Sequence, residues 1–382
     1  MTSRERVLAS LEHREADRLP IDIGGIVNLT SMHRDAYAGL LKYLGLDDRK
    51  PVIGSVMHQS VFIDEDIRER FHSDTYPLFY DNSTLQITTL PDGAQQYTDA
   101  FGILWRKPKN GLYFDMAASP FAGDTLDLDN WEIPAVPVKK MEALKPRAKE
   151  AHDKGLFTIF SPPYLGGVLS LSQRLIGYQD ILMMMLTDPE RFEEIISRLA
   201  DYELRMYQAL IDTLGDTLDA VVFGDDLVTQ TGFFFRPEIY REMIKPYHKK
   251  IVDSIHARGN YKVIYHCCGA IAPLLEDFID CGYDAVNPIQ LSATGMGDTA
   301  ALKQKYGDRI SFWGGSCDTQ KGLPVYTPEQ VREEVRRRVN DFSGNGGFVL
   351  CSVHNLQRDV SPENIVTLYE SFYENAFCYT KK

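Results

Sequence analysis

A histidine and a cysteine two residues apart, His266 and Cys268 in YKVIYHCCGAI, are the residues of this chain best suited to chemistry. On an extended segment positions i and i+2 face the same way, so an imidazole and a thiol can meet at one point. That pair suits Zn²⁺, whose bonds to histidine nitrogen and cysteine sulfur are about 2.0–2.1 Å and 2.3 Å. Two ligands do not complete a site. His354, in GGFVLCSVHN, is the best third ligand, with Cys317, Asp225 and Cys351 as alternatives. A position left open to substrate would mark a catalytic rather than a structural metal. All six cysteines lie after residue 260, so thiolate chemistry belongs to the last third of the chain. H-x-C alone is a weak pattern, because most buried cysteines are small core residues. On that ground Cys267, Cys281 and Cys351 are expected to pack, and Cys378 to be incidental.

The elements that must position these residues repeat along the second half. Strands are expected at LFTIFS (156–161), DAVVFGDD (219–226), YKVIYH (261–266), YDAVNP (283–288), RISFWGG (309–315) and GGFVLC (346–351). Helical periodicity covers 171–186, 188–214, 236–258, 270–280, 297–306, 328–341 and 361–376. The strands are apolar throughout rather than alternating, as parallel strands covered by helices are. The fold class is therefore α/β, a (β/α)₈ TIM barrel, with a helix at 3–13 and the strand-like DRLPIDIGG forming an N-terminal extension. A doubly wound sheet competes, but no G-x-G-x-x-G follows the first strand. Helical patterning also covers 31–45. From 84 to 107 short β-rich runs separated by Pro91-Asp92-Gly93 and Gly102 predict a small antiparallel insertion. Residues 118–138 read as a long loop. The chain is expected to be a single domain over 1–382, with 84–138 the insertion and its loop.

In such a barrel the chemistry lies at the C-terminal ends of the strands. Those ends carry Asp225 and Asp226, then His266 and Cys268, then Asn287 and Gln290, then Cys317 and Asp318, then His354, Asn355 and Gln357. Asp225 and Asp226 are the catalytic candidates, although a helix-capping role competes nearly equally. Asn287, Gln290, Cys317, Asn355 and Gln357 are the substrate-binding candidates, although Asn287 and Gln290 could equally satisfy loop backbone. Phe233, Phe234 and Phe235 could wall the pocket or be partly core.

Composition narrows the partners. A net charge of −13 argues against nucleic acid, which needs clustered lysine and arginine. No apolar run reaches the eighteen residues of a membrane span, and MTSRERVLASLEHREADRLP has no apolar signal core, so a cytoplasmic protein is expected.

These motifs together resemble the uroporphyrinogen decarboxylase superfamily, and within it the corrinoid-dependent methyltransferase branch. The resemblance runs over nearly the whole chain: RERVLASLEHREADRLPIDIGG, GDDLVTQ, HCCGAI, DAVNPIQ, FWGGSCDTQ and GGFVLCSVHNLQRDVSPENI. It implies a (β/α)₈ barrel and, in the methyltransferases, zinc held by the His and Cys of H-x-C-G and by a Cys after the last strand. His266 and Cys268 match the first two; the third place falls on His354, a departure that makes the site less thiolate-rich. The arginine-rich R-Q-A-G-R clamp of the true decarboxylases is replaced here by IDIGGIVNLTSM, which has no arginine, so uroporphyrinogen itself is not the expected substrate.

The resemblance implies zinc-dependent methyl transfer between a small methylated substrate and a corrinoid. The chain has no D-x-H-x-x-G corrinoid motif, so the corrinoid is expected on a separate partner protein. A metal-free decarboxylase or lyase for a smaller acid, with an aspartate stabilising charge and His266 or His354 moving protons, is the alternative. A non-catalytic corrinoid-binding relative is a third reading. The oligomeric state stays open, a homodimer being common in the superfamily.

Overall fold

The strands are where burial on both faces demands them. In this computed structural model, which describes residues 1–46, 48–123, 125–163 and 167–378, thirteen strands run in chain order. They are β1 (Val52–Ser55), β2 (Ser60–Phe62), β3 (Thr75–Leu78), β4 (Thr88–Thr89), β5 (Gln95–Thr98), β6 (Leu104–Lys107) and β7 (Asp115–Ala118). β8 (Phe157–Phe160), β9 (Ala220–Gly224), β10 (Lys262–His266), β11 (Ala285–Asn287), β12 (Ser311–Trp313) and β13 (Phe348–Val349) follow.

Seven of them form one parallel sheet in the order β13-β12-β11-β10-β9-β8-β3. The segment at 20–22 closes it. Leu350 N donates to Pro20 O at 2.9 Å, Asp22 N to Leu350 O at 2.8 Å, and Asp74 N to Ile21 O at 2.7 Å. The eighth staves of the barrel are thus these few residues, and the fold is a (β/α)₈ barrel. Alternation along the strands separates two cores. Phe157, Ile159, Ala220, Val222, Ile264, Ala285, Trp313 and Val349 form one buried cluster, the barrel interior. Their neighbours Val221, Phe223, Val263, Tyr265, Val286, Phe312 and Phe348 belong to the larger cluster shared with the helices.

The N-terminal helix Ser3–Leu11 stoppers the barrel, with Val7 and Leu11 joining the interior cluster. It is bonded to the starts of several strands. Ser10 Oγ donates to Phe348 O at 2.8 Å, Arg4 Nε to Asp219 Oδ1 at 2.6 Å, and Arg6 Nη1 to Asp74 Oδ1 at 2.6 Å. The fully buried Asp74 carboxylate also accepts Arg18 and Ile21 N, so one carboxylate ties the helix to the closing segment.

Between β3 and β8 an antiparallel sheet in the order β4-β5-β6-β7 forms the excursion expected from 84 to 107 and extends it to Ala118. Among the described residues of the loop at 118–138, no regular element follows β7 until the short helix at Val138. Two expected helices are interrupted. The stretch over 171–186 begins at Val168 and breaks at Gly177, whose φ of 122° only glycine adopts without strain. The helix over 236–258 carries a π turn at Tyr240–Ile244, just ahead of Pro246, which has no N–H to continue the α ladder. No helix among the described residues is long and apolar enough to cross a membrane.

Candidate metal centre and mouth cavity

The inward register of the barrel decides which side chains meet at its C-terminal mouth. On β10 the inward Ile264 is followed two residues later by His266, and two later again by Cys268. On β11 the inward Ala285 is followed by Asn287, which pairs with His266 across the ladder. On β9 the same place is held by Gly224, because a Cβ there would lie 2.5 Å from His266 O. Glycine on the neighbouring strand thus makes room for the histidine.

His266, Cys268 and His354 converge. One ligand atom from each lies within 4.8 Å of the other two. Cys268 Sγ is 3.3 Å from His266 Nε2. Ligands at zinc distances and a tetrahedral angle sit about 3.5 Å apart, so this pair needs almost no movement to share an ion. His266 Nδ1 is 2.8 Å from Asn287 Oδ1. Asn287 Nδ2 donates to Trp313 O at 2.9 Å, which fixes the amide so that its oxygen faces the ring. His266 therefore carries its proton on Nδ1 and presents a free Nε2 lone pair toward the cysteine, the arrangement that metal-binding histidines use. His354 is held differently. Its Nδ1 accepts Asn355 N–H at 2.8 Å, which puts the proton of the neutral ring on Nε2. Ligation through Nε2 requires the neutral ring to carry its proton on Nδ1 instead, so the Asn355 N–H contact must open.

Electrostatics keep both rings neutral. Burial, followed by the neighbouring His266 and His58, pushes His354 down to about 3. Burial also lowers His266. Neutral imidazole is the form that ligates metal. Burial, with Asp226 adding to it, drives the Cys268 thiol well above its usual range. A nearby divalent cation reverses that balance, since it stabilises thiolate directly. The donor set thus fits zinc.

A cavity of about 380 Å³ lies against Cys268 and His354, lined also by Asp226, Gln290, Asn355 and Gln357. Gln290 Oε1 and Gln357 Oε1 are buried acceptors with no hydrogen-bond partner among the described residues. Their other amide ends are used, Gln290 Nε2 on Gln320 Oε1 at 3.0 Å and Gln357 Nε2 on Asn355 O at 3.2 Å. Two unpaired carbonyl oxygens on residues of one cavity wall are groups that water or a ligand with N–H or O–H donors would satisfy. Phe234 lines the same cavity, whereas Phe233 and Phe235 pack against the core.

The remaining candidates differ in what they touch. Asp225 is 1% exposed and wholly engaged. Its Oδ1 accepts Ser170 N at 2.6 Å and its Oδ2 accepts Leu169 N at 3.0 Å, both in the first turn of the helix Val168–Ile176, while His248 Nε2 lies 2.9 Å from Oδ2. Asp226 is exposed, lines the cavity and accepts Cys268 N at 3.1 Å. Asn355 uses its whole amide on the turn at 28–31, accepting Ser31 N and donating to Asn28 O. Cys317 Sγ faces Glu334 Oε2 at 3.4 Å, away from the cluster. Cys351 packs inside the barrel. His58, between β1 and β2, is a further neighbour of the site that no sequence pattern marks. Burial, then Arg174 and His266, lower it to about 3. It lies in a turn with no strand-end signature, so only the three-dimensional arrangement reveals it.

Comparison with known proteins agrees with this fold. The family described as Uroporphyrinogen decarboxylase (URO-D) matches residues 164–374. A uroporphyrinogen decarboxylase of Methylococcus capsulatus is 25% identical over 200 residues, 52% of this chain and 52% of that protein. A methylcobamide:CoM methyltransferase of Methanosarcina barkeri is 22% identical over 167 residues, 42% of this chain and 45% of that one. The chain thus spans about half the length of the curated relatives it matches. A solved methyltransferase from Methanosarcina mazei superposes with a TM-score of 0.68 at 15% identity, covering 98% of this chain and 99% of the other, which establishes a shared fold.

Proposed function

Because the chain belongs to the uroporphyrinogen decarboxylase family, we propose that it is a methyltransferase of that family, moving a methyl group between a small methylated compound and a corrinoid on a separate protein. His266, Cys268 and His354 would hold a zinc ion at the barrel mouth. The observation that carries this reading is the convergence of those three side chains, with Asn287 fixing the tautomer of the first. A zinc ion there supplies Lewis acidity toward a thiol acceptor or the heteroatom of a methyl donor.

The chain's own residues supply the rest. Asn287 aims His266 Nε2. Gln290 and Gln357 accept hydrogen bonds from the small substrate. Asp226, the acidic group of the cavity wall, orients the substrate or takes its proton. Asp225 acts at one remove, holding the helix beside the mouth.

Uroporphyrinogen decarboxylation fits this cavity less well. No lysine or arginine lines it among the described residues, so a substrate with many carboxylates meets no counter-charge there. The test mixes the protein with a reduced corrinoid protein and candidate methyl donors and follows the spectrum of the corrinoid. Formation of methylcorrinoid that depends on the protein is expected. A protein that methylates no corrinoid and accepts no methyl group from one, yet releases CO₂ from a small carboxylic acid, would be a lyase instead.

A further inference from the structure

A second cavity, of about 230 Å³, opens beside the antiparallel insertion and shares no lining residue with the first. Its walls come from the segments after 20–22, β3 and β8, from the insertion, and from the long helix Pro189–Leu214. Five aromatic residues, Phe79, Tyr80, Tyr97, Phe101 and Tyr202, line it. Into this apolar space the helix places Glu203, 4% exposed, at a position its amphipathic pattern would give to an apolar residue. Glu203 Oε2 and Tyr80 Oη are both buried with no hydrogen-bond partner among the described residues.

A carboxyl buried in this way is costly unless a partner arrives. Burial, then the charge of Asp225, raise Glu203 to about 8, so the unliganded group is held back from ionising. Of the charged residues on the cavity wall, Lys140 is exposed at the rim, and Asp99 already accepts Phe101 N, Ile103 N and Trp105 Nε1. Among the described residues no cation pairs with Glu203. Aromatic walls with one acidic group are the surroundings that favour an alkylated cation, whose charge polarises rings and whose carbons are apolar. At about 30 Å³ per water the space equals roughly eight waters, enough for a ligand of similar heavy-atom count.

We propose that this cavity binds a small alkylammonium ion, with its charge against the Glu203 carboxylate and its alkyl groups among the aromatic rings. The site does not rest on the methyl-transfer reading, and the ion is a ligand of the second cavity whatever reaction the first performs.

The test is calorimetric titration of the full chain with choline and with 3,3-dimethylbutan-1-ol, which has the same shape and hydroxyl but no charge. Choline is expected to bind at one site per chain, and the neutral isostere about 30-fold more weakly, the scale of a desolvated cation–aromatic contact. Glu203→Gln, close in size and shape, is expected to lose that preference, and Tyr80→Phe to weaken choline less. His266→Ala/Cys268→Ala is expected to bind choline as the wild type does. Equal affinity for choline and its isostere, or no choline binding by the wild-type protein at millimolar concentration, would overturn the proposal without needing any variant to fold. Unchanged choline binding by a folded Glu203→Gln protein would overturn it too.

Discussion

Asp225→Ala is expected to destabilise the protein by about 3–5 kcal/mol, the cost of removing one partner from a buried hydrogen-bonded network. The carboxylate touches no solvent and is shared between two backbone N–H groups at the start of the helix Val168–Ile176 and the fully buried His248. Its removal orphans two donors of a helix N-terminus and leaves His248 without its acceptor in an apolar surround. Gly167 shows how tightly this corner is built, since a Cβ there would lie 2.2 Å from Asp225 Oδ1. Urea unfolding followed by circular dichroism reads the effect. Asp226→Ala, one residue on but exposed, is expected to stay within about 0.5 kcal/mol of wild type, as surface changes do. Equal losses at the two positions would show that Asp225 is not the structural member of the pair.

Asn287→Ala is expected to weaken zinc binding by about 10- to 100-fold, the range found when an outer-shell partner of a ligating histidine is removed. The amide touches no ligand itself; it acts through His266, and is a positioning residue. With Oδ1 gone, nothing holds the ring proton on Nδ1, and Nε2 no longer presents its lone pair to the cluster by default. Competition against a chelator of known affinity measures the change. Asn287→Leu, close in size but without an acceptor, should lose about as much affinity as the alanine variant, which a merely steric role for Asn287 would not predict. Equal affinity in wild type and Asn287→Ala would remove Asn287 from the site.

Particular residues show why parts of this account were legible in the sequence. His266 and Cys268 could be placed together because strand geometry fixes the direction of residues two apart, and the strand itself was marked by an unbroken apolar run. The barrel followed from the same runs. β3 gave no such signal: it is four residues long and contains Pro77, which reads as a strand breaker. The closing segment at 20–22 is held by three backbone bonds and the Asp74 carboxylate rather than by a regular ladder, so its sequence marks its presence but not its partners. β13 begins later than GGFVLC suggested because Gly346 and Gly347 both take positive φ, 66° and 71°. Asp225 and Asp226 are indistinguishable as adjacent letters. Which of them faces a helix N-terminus depends on the chain at 167–170, more than fifty residues earlier. The free acceptors of Gln290 and Gln357 likewise emerge only once their other amide atoms are seen to be occupied.

Elemental analysis of the purified protein tests whether His266, Cys268 and His354 hold a metal. Close to one zinc per chain is expected in the wild type, retained through dialysis, and essentially none in a His266→Ala/Cys268→Ala protein that is still folded by circular dichroism. A wild-type protein that contains no metal and takes up none on reconstitution with zinc would contradict a metal site there.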